Sequence, residues 1–179
     1  MAETKSENMT EIEVMARLIG VNIKCREMVD EWLLITYDIP CTPEGNAARN
    51  EFLHQARAIG ATRHTDSVYL MPFTATAKQL ALQLAKRGDV CVWSSKVDQA
   101  QAQQITKSYD DGLQPMFDEI DQRIDRIVEN IKAKRLKRAE KMIDKTEVMV
   151  SDLKNAIVRR GSAQLYILFT LLERRFNAL

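Results

Sequence analysis

Apolar positions along this chain change their period several times, and each change marks a new kind of element. Through 9–29 they fall at Met9, Ile12, Met15, Ala16, Ile19 and Ile23. That near three-four spacing predicts an amphipathic helix, weakened at Gly20. In 31–40, EWLLITYDIP, polar alternation disappears and Trp32 to Tyr37 are all apolar or β-favouring. Such a run predicts a strand covered on both faces, and Pro40, with no N–H for a ladder, ends it just after Asp38. Pro43-Glu44-Gly45 reads as a turn. Helical spacing then returns over 46–59 at Ala48, Phe52, Leu53, Ala56 and Ile59, with Gly60 placed as the C-terminal cap.

TRHTDSVYLMP, 62–72, predicts a further strand, or a bent pair of strands, closed by Pro72. Thr74 or Thr76 caps a helix from about 76 to 87, buried through Leu80, Leu82, Leu84 and Ala85 and stopped by Gly88. Val90 to Trp93 make a short buried strand. Two strand–helix crossovers this close together predict an α+β domain of the split βαβ, ferredoxin-like kind, with a hairpin strand hidden in 62–73 completing four.

From 98 to 160 the pattern is helical throughout. Leu113, Phe117, Ile120, Ile124, Ile127 and Ile131 repeat at heptad spacing. The seam breaks at Lys134 and resumes through Leu136, Ala139, Ile143, Val150, Leu153 and Ile157, with a polar Thr146 in the series. A break of this kind changes the supercoil or separates two helices. Pro115 predicts a helix start near 114–117. Gly161-Ser162 is a stop and cap. The last segment, 163–177, is apolar nearly all round from Leu165 to Leu172, so it must bury against the long helix or another chain. The expected organisation is an N-terminal helical segment (1–30), a ferredoxin-like domain (31–98) and a long, coiled-coil-like helical region (99–179).

Charge changes the picture at one end only. The net charge is +1, yet residues 132–179 carry 12 basic and 5 acidic side chains, while 99–131 carry 3 basic and 7 acidic. The apolar fraction of 45% is that of a globular protein, and no apolar run approaches the roughly 20 residues that span a bilayer. The polar, acidic start MAETKSENMTEIE does not read as a secretory signal. Cys25, Cys41 and Cys91 are scattered and form no C-x-x-C pair, which points to reduced thiols in a cytoplasm and away from a disulfide framework or structural zinc.

Two segments carry a resemblance. LLITYDIP, 33–40, looks like the first strand of the small CRISPR-associated adaptation nucleases, which ends Y-D-[ILV]-P. RHTDSVY, 63–69, is similar to that family's second-strand pattern R-x-x-x-S-V-[FY]. The N-terminal domain of chromate-resistance regulators is similar too, in W-L-L-x-x-Y (Trp32 to Tyr37) and D-x-V-x-x-x-P (Asp66 to Pro72). The resemblance covers about 31–97. It implies a dimerising ferredoxin-like fold and, in some members, Mg²⁺-dependent cleavage of RNA or DNA. By that match Asp38 is the metal ligand and catalytic residue, facing its mate across a two-fold axis, and Arg63 and Ser67 neighbour phosphate. Two carboxylates holding a hard cation that activates water is coherent chemistry. Asp38 before Ile-Pro equally suits a turn that accepts backbone N–H groups. This chain also departs from the compact nucleases in its added helical length.

The basic run KAKRLKRAEK is the other candidate. Lys132, Lys134, Arg135, Lys137, Arg138 and Lys141 lie within ten residues and, on a helix, leave Leu136 and Ala139 inward. They suit a phosphate backbone, with steeply salt-dependent binding. They equally suit plain solvation, or pairing with Asp110, Asp111, Asp118, Glu119, Asp121 and Asp125 on a neighbouring antiparallel helix. No aromatic residues interleave for base stacking. His54 and His64 have no local partner for a metal or triad, and nucleotide- and serine-hydrolase motifs are absent. The chain therefore reads as a nucleic-acid-associated binding, assembly or regulatory protein. It requires no cofactor and binds DNA or RNA, forming a homodimer or hetero-oligomer through its C-terminal helices, with no membrane contact. The alternatives are a Mg²⁺-dependent endonuclease using Asp38 and a protein-binding subunit without nucleic-acid contact.

Overall fold

Thr42 starts the first helix earlier than the sequence pattern implies. In the computed structural model, which describes residues 29–40, 42–86 and 89–179, its hydroxyl accepts from the Gly45 N–H at 3.1 Å. Pro43 stands at the first helical position, where its missing N–H costs nothing. The expected turn at 43–45 is thus the first turn of α1 (Pro43–Ala58). The anticipated N-terminal helix, Cys25, Cys41 and the Gly88 stop lie outside the described residues, except Val29, which is not helical.

The remaining elements are β1 (Glu31–Tyr37), β2 (Thr62–Thr65), β3 (Val68–Pro72), α2 (Ala75–Ala85, capped by Thr74), β4 (Val90–Lys96), α3 (Gln99–Lys132), α4 (Leu136–Arg160) and α5 (Ala163–Asn177). The four strands form one antiparallel sheet in the order β2-β3-β1-β4. β1 is central and covered on both faces, as its unbroken apolar run requires. Leu33 and Ile35 pack with Tyr69 and Met71 against Phe52 and Ala56 of α1 and Ala77, Ala81 and Leu84 of α2. Trp32 and Leu70, on the opposite face, join Tyr109, Leu113 and the C-terminal helices in a second core.

Helix α3 runs straight through Pro115, against the expected start there. Proline removes one intrahelical N–H, which would have served the carbonyl of Asp111, and that residue is exposed to water. Leu113, Phe117, Ile120, Ile124 and Ile127 are buried along one stripe around it, which outweighs the defect. The seam does end where it breaks in sequence: Lys134 takes a positive φ of 56°, and α4 turns back. At that turn Leu136 is 64% exposed, contrary to its expected inward position, while Ala139 is buried. Thr146 is buried without penalty because its hydroxyl donates to the Met142 carbonyl at 2.7 Å. α5 packs back on α3 and α4 through Phe169 and Leu172, leaving Leu168 and Leu171 exposed.

The helical layer is tied to the sheet layer by specific contacts. The buried Tyr109 hydroxyl donates to the Gly60 carbonyl at 2.6 Å, its ring lies 5.5 Å from that of Trp32, and Arg159 donates to the Ile59 carbonyl. Gly60 sits at φ +76° in the left-handed region, where its missing Cβ would stand 3.0 Å from Ala156 Cα. Gly112 lets α3 approach β2, since a Cβ there would meet Thr62 Cβ at 3.0 Å.

Asp152 of α4 is a carboxylate whose pKa is raised by burial, an effect partly offset by His54 of α1. Ionising it therefore opposes folding; that penalty is absent below the ordinary carboxylate range and develops as pH rises through the raised folded-state pKa. Asp152→Asn is expected to raise the urea midpoint at neutral pH and to leave it unchanged below pH ~3. Equal midpoint shifts at both pH values would refute this origin.

Candidate nucleic-acid interface and the Asp38 cleft

The basic run occupies the tip of the α3–α4 hairpin. Lys132 ends α3, Lys134 and Arg135 form the turn, and Lys137, Arg138 and Lys141 lie in the first turns of α4. All six are exposed, and among the described residues none has an ion-pair partner. The 34 residues of α3 extend about 50 Å at 1.5 Å per residue. Near its end α5 is held by Arg175, which pairs with Asp121 and Asp125. The hairpin runs on past that point, carrying the six cations at its end.

The acidic face of α3 does not serve the basic run. Asp110 takes Arg160, through Nε at 2.8 Å and Nη2 at 3.0 Å, and burial holds the Asp110 carboxyl above its usual value despite that partner. Asp121 and Asp125 take Arg175, Glu119 takes Arg123 at 2.9 Å, and Asp118 accepts from Gln114 at 2.8 Å. The pairing expected between the acidic stretch and 132–141 is therefore not made. An antiparallel hairpin sets the far end of α4 opposite Asp110, so Arg160 is the cation that arrives there.

The second predicted site is assembled away from the tip. Asp38 follows directly on β1 with its N–H on the Asp89 carbonyl at 3.0 Å; its carboxylate is exposed and has no hydrogen-bond or ion-pair partner among the described residues. The β2–β3 turn is drawn to it because Tyr37 donates its hydroxyl to the Asp66 carbonyl at 2.7 Å and its N–H to the Ser67 carbonyl at 3.2 Å. Asp38, Arg63, Asp66 and Ser67 consequently line one cavity of about 650 Å³, together with Tyr37, Arg49, Leu53, Arg57 and Tyr69. Asp66 is at the same end as Asp38, where its carboxylate pairs with Arg63. Arg63 lies against Gly112, some 20 residues or about 30 Å along α3 from the tip, so it belongs to this cleft and not to the basic run.

Sequence reading missed Arg49, Arg57, Tyr37 and Tyr69 as cleft residues. The signal was present: Arg49, Leu53 and Arg57 recur every four residues, so they share one face of α1. Among the described residues no three His, Cys, Asp or Glu side chains come together to hold a metal ion, and no helix is long and apolar enough to cross a membrane. His54 is exposed, and His64 Nδ1 lies 2.8 Å from Ser108 Oγ. Cys91 is a free, exposed thiol. No family model and no curated protein matches this chain.

Proposed function

We propose that this protein is a nucleic-acid-associated binding and assembly module: a ferredoxin-like core that presents a basic helical tip to a phosphate backbone. The observation that carries the reading is the tip itself. Six exposed cations stand at the end of a projecting hairpin while every acidic residue named as their possible partner either bonds elsewhere or, as Asp111, lies about six turns away. Unpaired, solvated cations release their counterions on meeting a polyanion, which favours duplex binding. The ferredoxin-like assignment rests on the β-α-β-β-α-β order, the strand order β2-β3-β1-β4 and the placement of α1 and α2 on one face. Since α5 spends its inner face within the chain, what it offers for association is the outward pair Leu168 and Leu171.

The test is titration of labelled duplex DNA and structured RNA with the protein and with Lys134, Arg135, Lys137 and Arg138 changed to glutamine. Binding that disappears in the variant supports the reading. A well-folded protein that binds neither overturns it and leaves the protein-binding subunit.

One observation favours the nuclease as a second reading: the free Asp38 carboxylate at the end of β1. The donor set of one chain does not fit Mg²⁺, because among the described residues Asp66 is the one other carboxylate lining that cavity and is paired with Arg63. A metal site here needs Asp38 of a second copy. Asp38→Asn is then expected to abolish Mg²⁺-dependent phosphodiester cleavage with the fold intact; equal residual activity would exclude Asp38.

A further inference from the structure

Behind the Asp38 cavity lies a second one of about 320 Å³, between β2 and α3, bounded by Ala61, Thr62, Gly112, Pro115, Met116 and Glu119. The two share Arg57, Arg63 and Tyr69 as a common wall. Both volumes fall in the range of small-molecule sites.

The common wall holds donors that the protein itself does not use. The Tyr69 ring is buried, but its hydroxyl opens onto the cavities and has no hydrogen-bond partner among the described residues. Thr62 Oγ1, on the wall of the inner cavity, is itself buried without a partner among the described residues, a state that is destabilising for a polar group. Burial raises the Tyr69 pKa, with Arg57 and Arg63 acting in the opposite sense, so the hydroxyl is a donor at neutral pH lying in the field of both guanidinium groups. The Arg57 guanidinium has no ion-pair or hydrogen-bond partner among the described residues. Arg63 is held in place by Asp66 and by the Thr65 carbonyl, which its Nε reaches at 3.3 Å, leaving its other guanidinium nitrogen uncommitted. Ser67 adds a hydroxyl on the outer side.

Shape and charge select the ligand. Asp38 and Asp66 lie on the outer cavity and would repel an anion there, which confines a phosphate to the Arg57–Arg63–Tyr69 wall. The inner cavity has about half the volume of the outer one, and Ala61, Pro115 and Met116 give it an apolar wall against which a flat ring can lie. Its one carboxylate, Glu119, is engaged by Arg123 and is an acceptor for an amino group on that ring. We infer that this double cavity binds a nucleoside monophosphate, with the phosphate between Arg57, Arg63 and the Tyr69 hydroxyl and the base in the slot beside Pro115 and Met116. The site is separate from the basic tip, so it stands whether or not the tip binds a duplex.

Calorimetric titration of the full chain with AMP, inorganic phosphate and adenosine tests this. AMP is expected to bind saturably, phosphate and adenosine more weakly than AMP. Arg57→Gln and Tyr69→Phe are each expected to weaken AMP by about tenfold, the loss of one charge-assisted or buried hydrogen bond. Arg57 is exposed on α1, so its variant keeps the fold, and circular dichroism verifies this for both. The glutamine variant of the tip is expected to bind AMP unchanged. No AMP binding up to roughly millimolar concentration, equal affinity of Arg57→Gln, or adenosine binding as tightly as AMP would each overturn the assignment.

Discussion

Phe169→Ala is expected to lower folding stability by about 3–5 kcal/mol, a large share of what a domain of this size possesses. Phe169 has no exposed surface and sits in the core shared by α3, α4 and α5 with Ile120, Ile124 and Leu153. Its ring lies 6.3 Å from that of Tyr166, and Lys154 Nζ stands 5.8 Å above it while pairing with Glu173. Truncation therefore removes apolar burial and leaves a cavity that two long helices cannot close by local collapse. Leu171, two residues on, is 59% exposed, so Leu171→Ala is the matched control and changes stability little. Cutting the chain before 163 uncovers the same core face, with Ile157, and is expected to cause aggregation. Leu136 plays no part, since it is exposed with α5 present. Chemical denaturation followed by circular dichroism measures these differences. A soluble truncated chain of unchanged mass and stability would show that α5 does not close the core.

Changing Lys134, Arg135, Lys137 and Arg138 to glutamine is expected to remove most of the duplex affinity and to flatten its salt dependence. Each phosphate neutralised contributes a slope of about −0.9 in log K against log salt, so four lost contacts would reduce the slope by roughly 3.6. Between 50 and 200 mM salt that corresponds to a loss of about two orders of magnitude that the variant no longer shows. The substitutions sit on exposed positions whose side chains have no partner among the described residues, so thermal stability is expected to remain unchanged. A variant that retains full affinity and slope would move the contact elsewhere. A variant that unfolds would show that the tip is structural.

The strands and helices were legible because their signals are local. β1 declares itself in six consecutive apolar or β-favouring residues, α1 and α2 in spaced apolar positions, and the hairpin turn in the lapse of the seam at Lys134. Where reading by residue type failed, a competing interaction was decisive. Pro115 was expected to begin a helix, but a buried stripe on both sides of it carries α3 through, with the unserved carbonyl left to water. Leu136 was placed inward by spacing, but the turn at Lys134 resets the phase of α4. β4 runs three residues beyond its apolar part because Ser94, Ser95 and Lys96 continue the ladder on β1, and a ladder depends on backbone groups, not on side chains.

The amino-acid order alone determined the element types, the two-faced burial of β1 and the strength of the basic cluster, since propensity, period and charge are properties of short segments. Which cation answers which anion was decided by tertiary structure: Asp110 meets Arg160 fifty residues away, and the basic run meets no acid among the described residues, because the direction of α4 after its turn fixes what comes alongside α3. The cleft is likewise a tertiary product. Asp38, Arg57 and Tyr69 are separated in the chain and meet only because antiparallel pairing of β1 with β3 brings the end of one strand to the start of the other, under the face of α1 that carries Arg49 and Arg57.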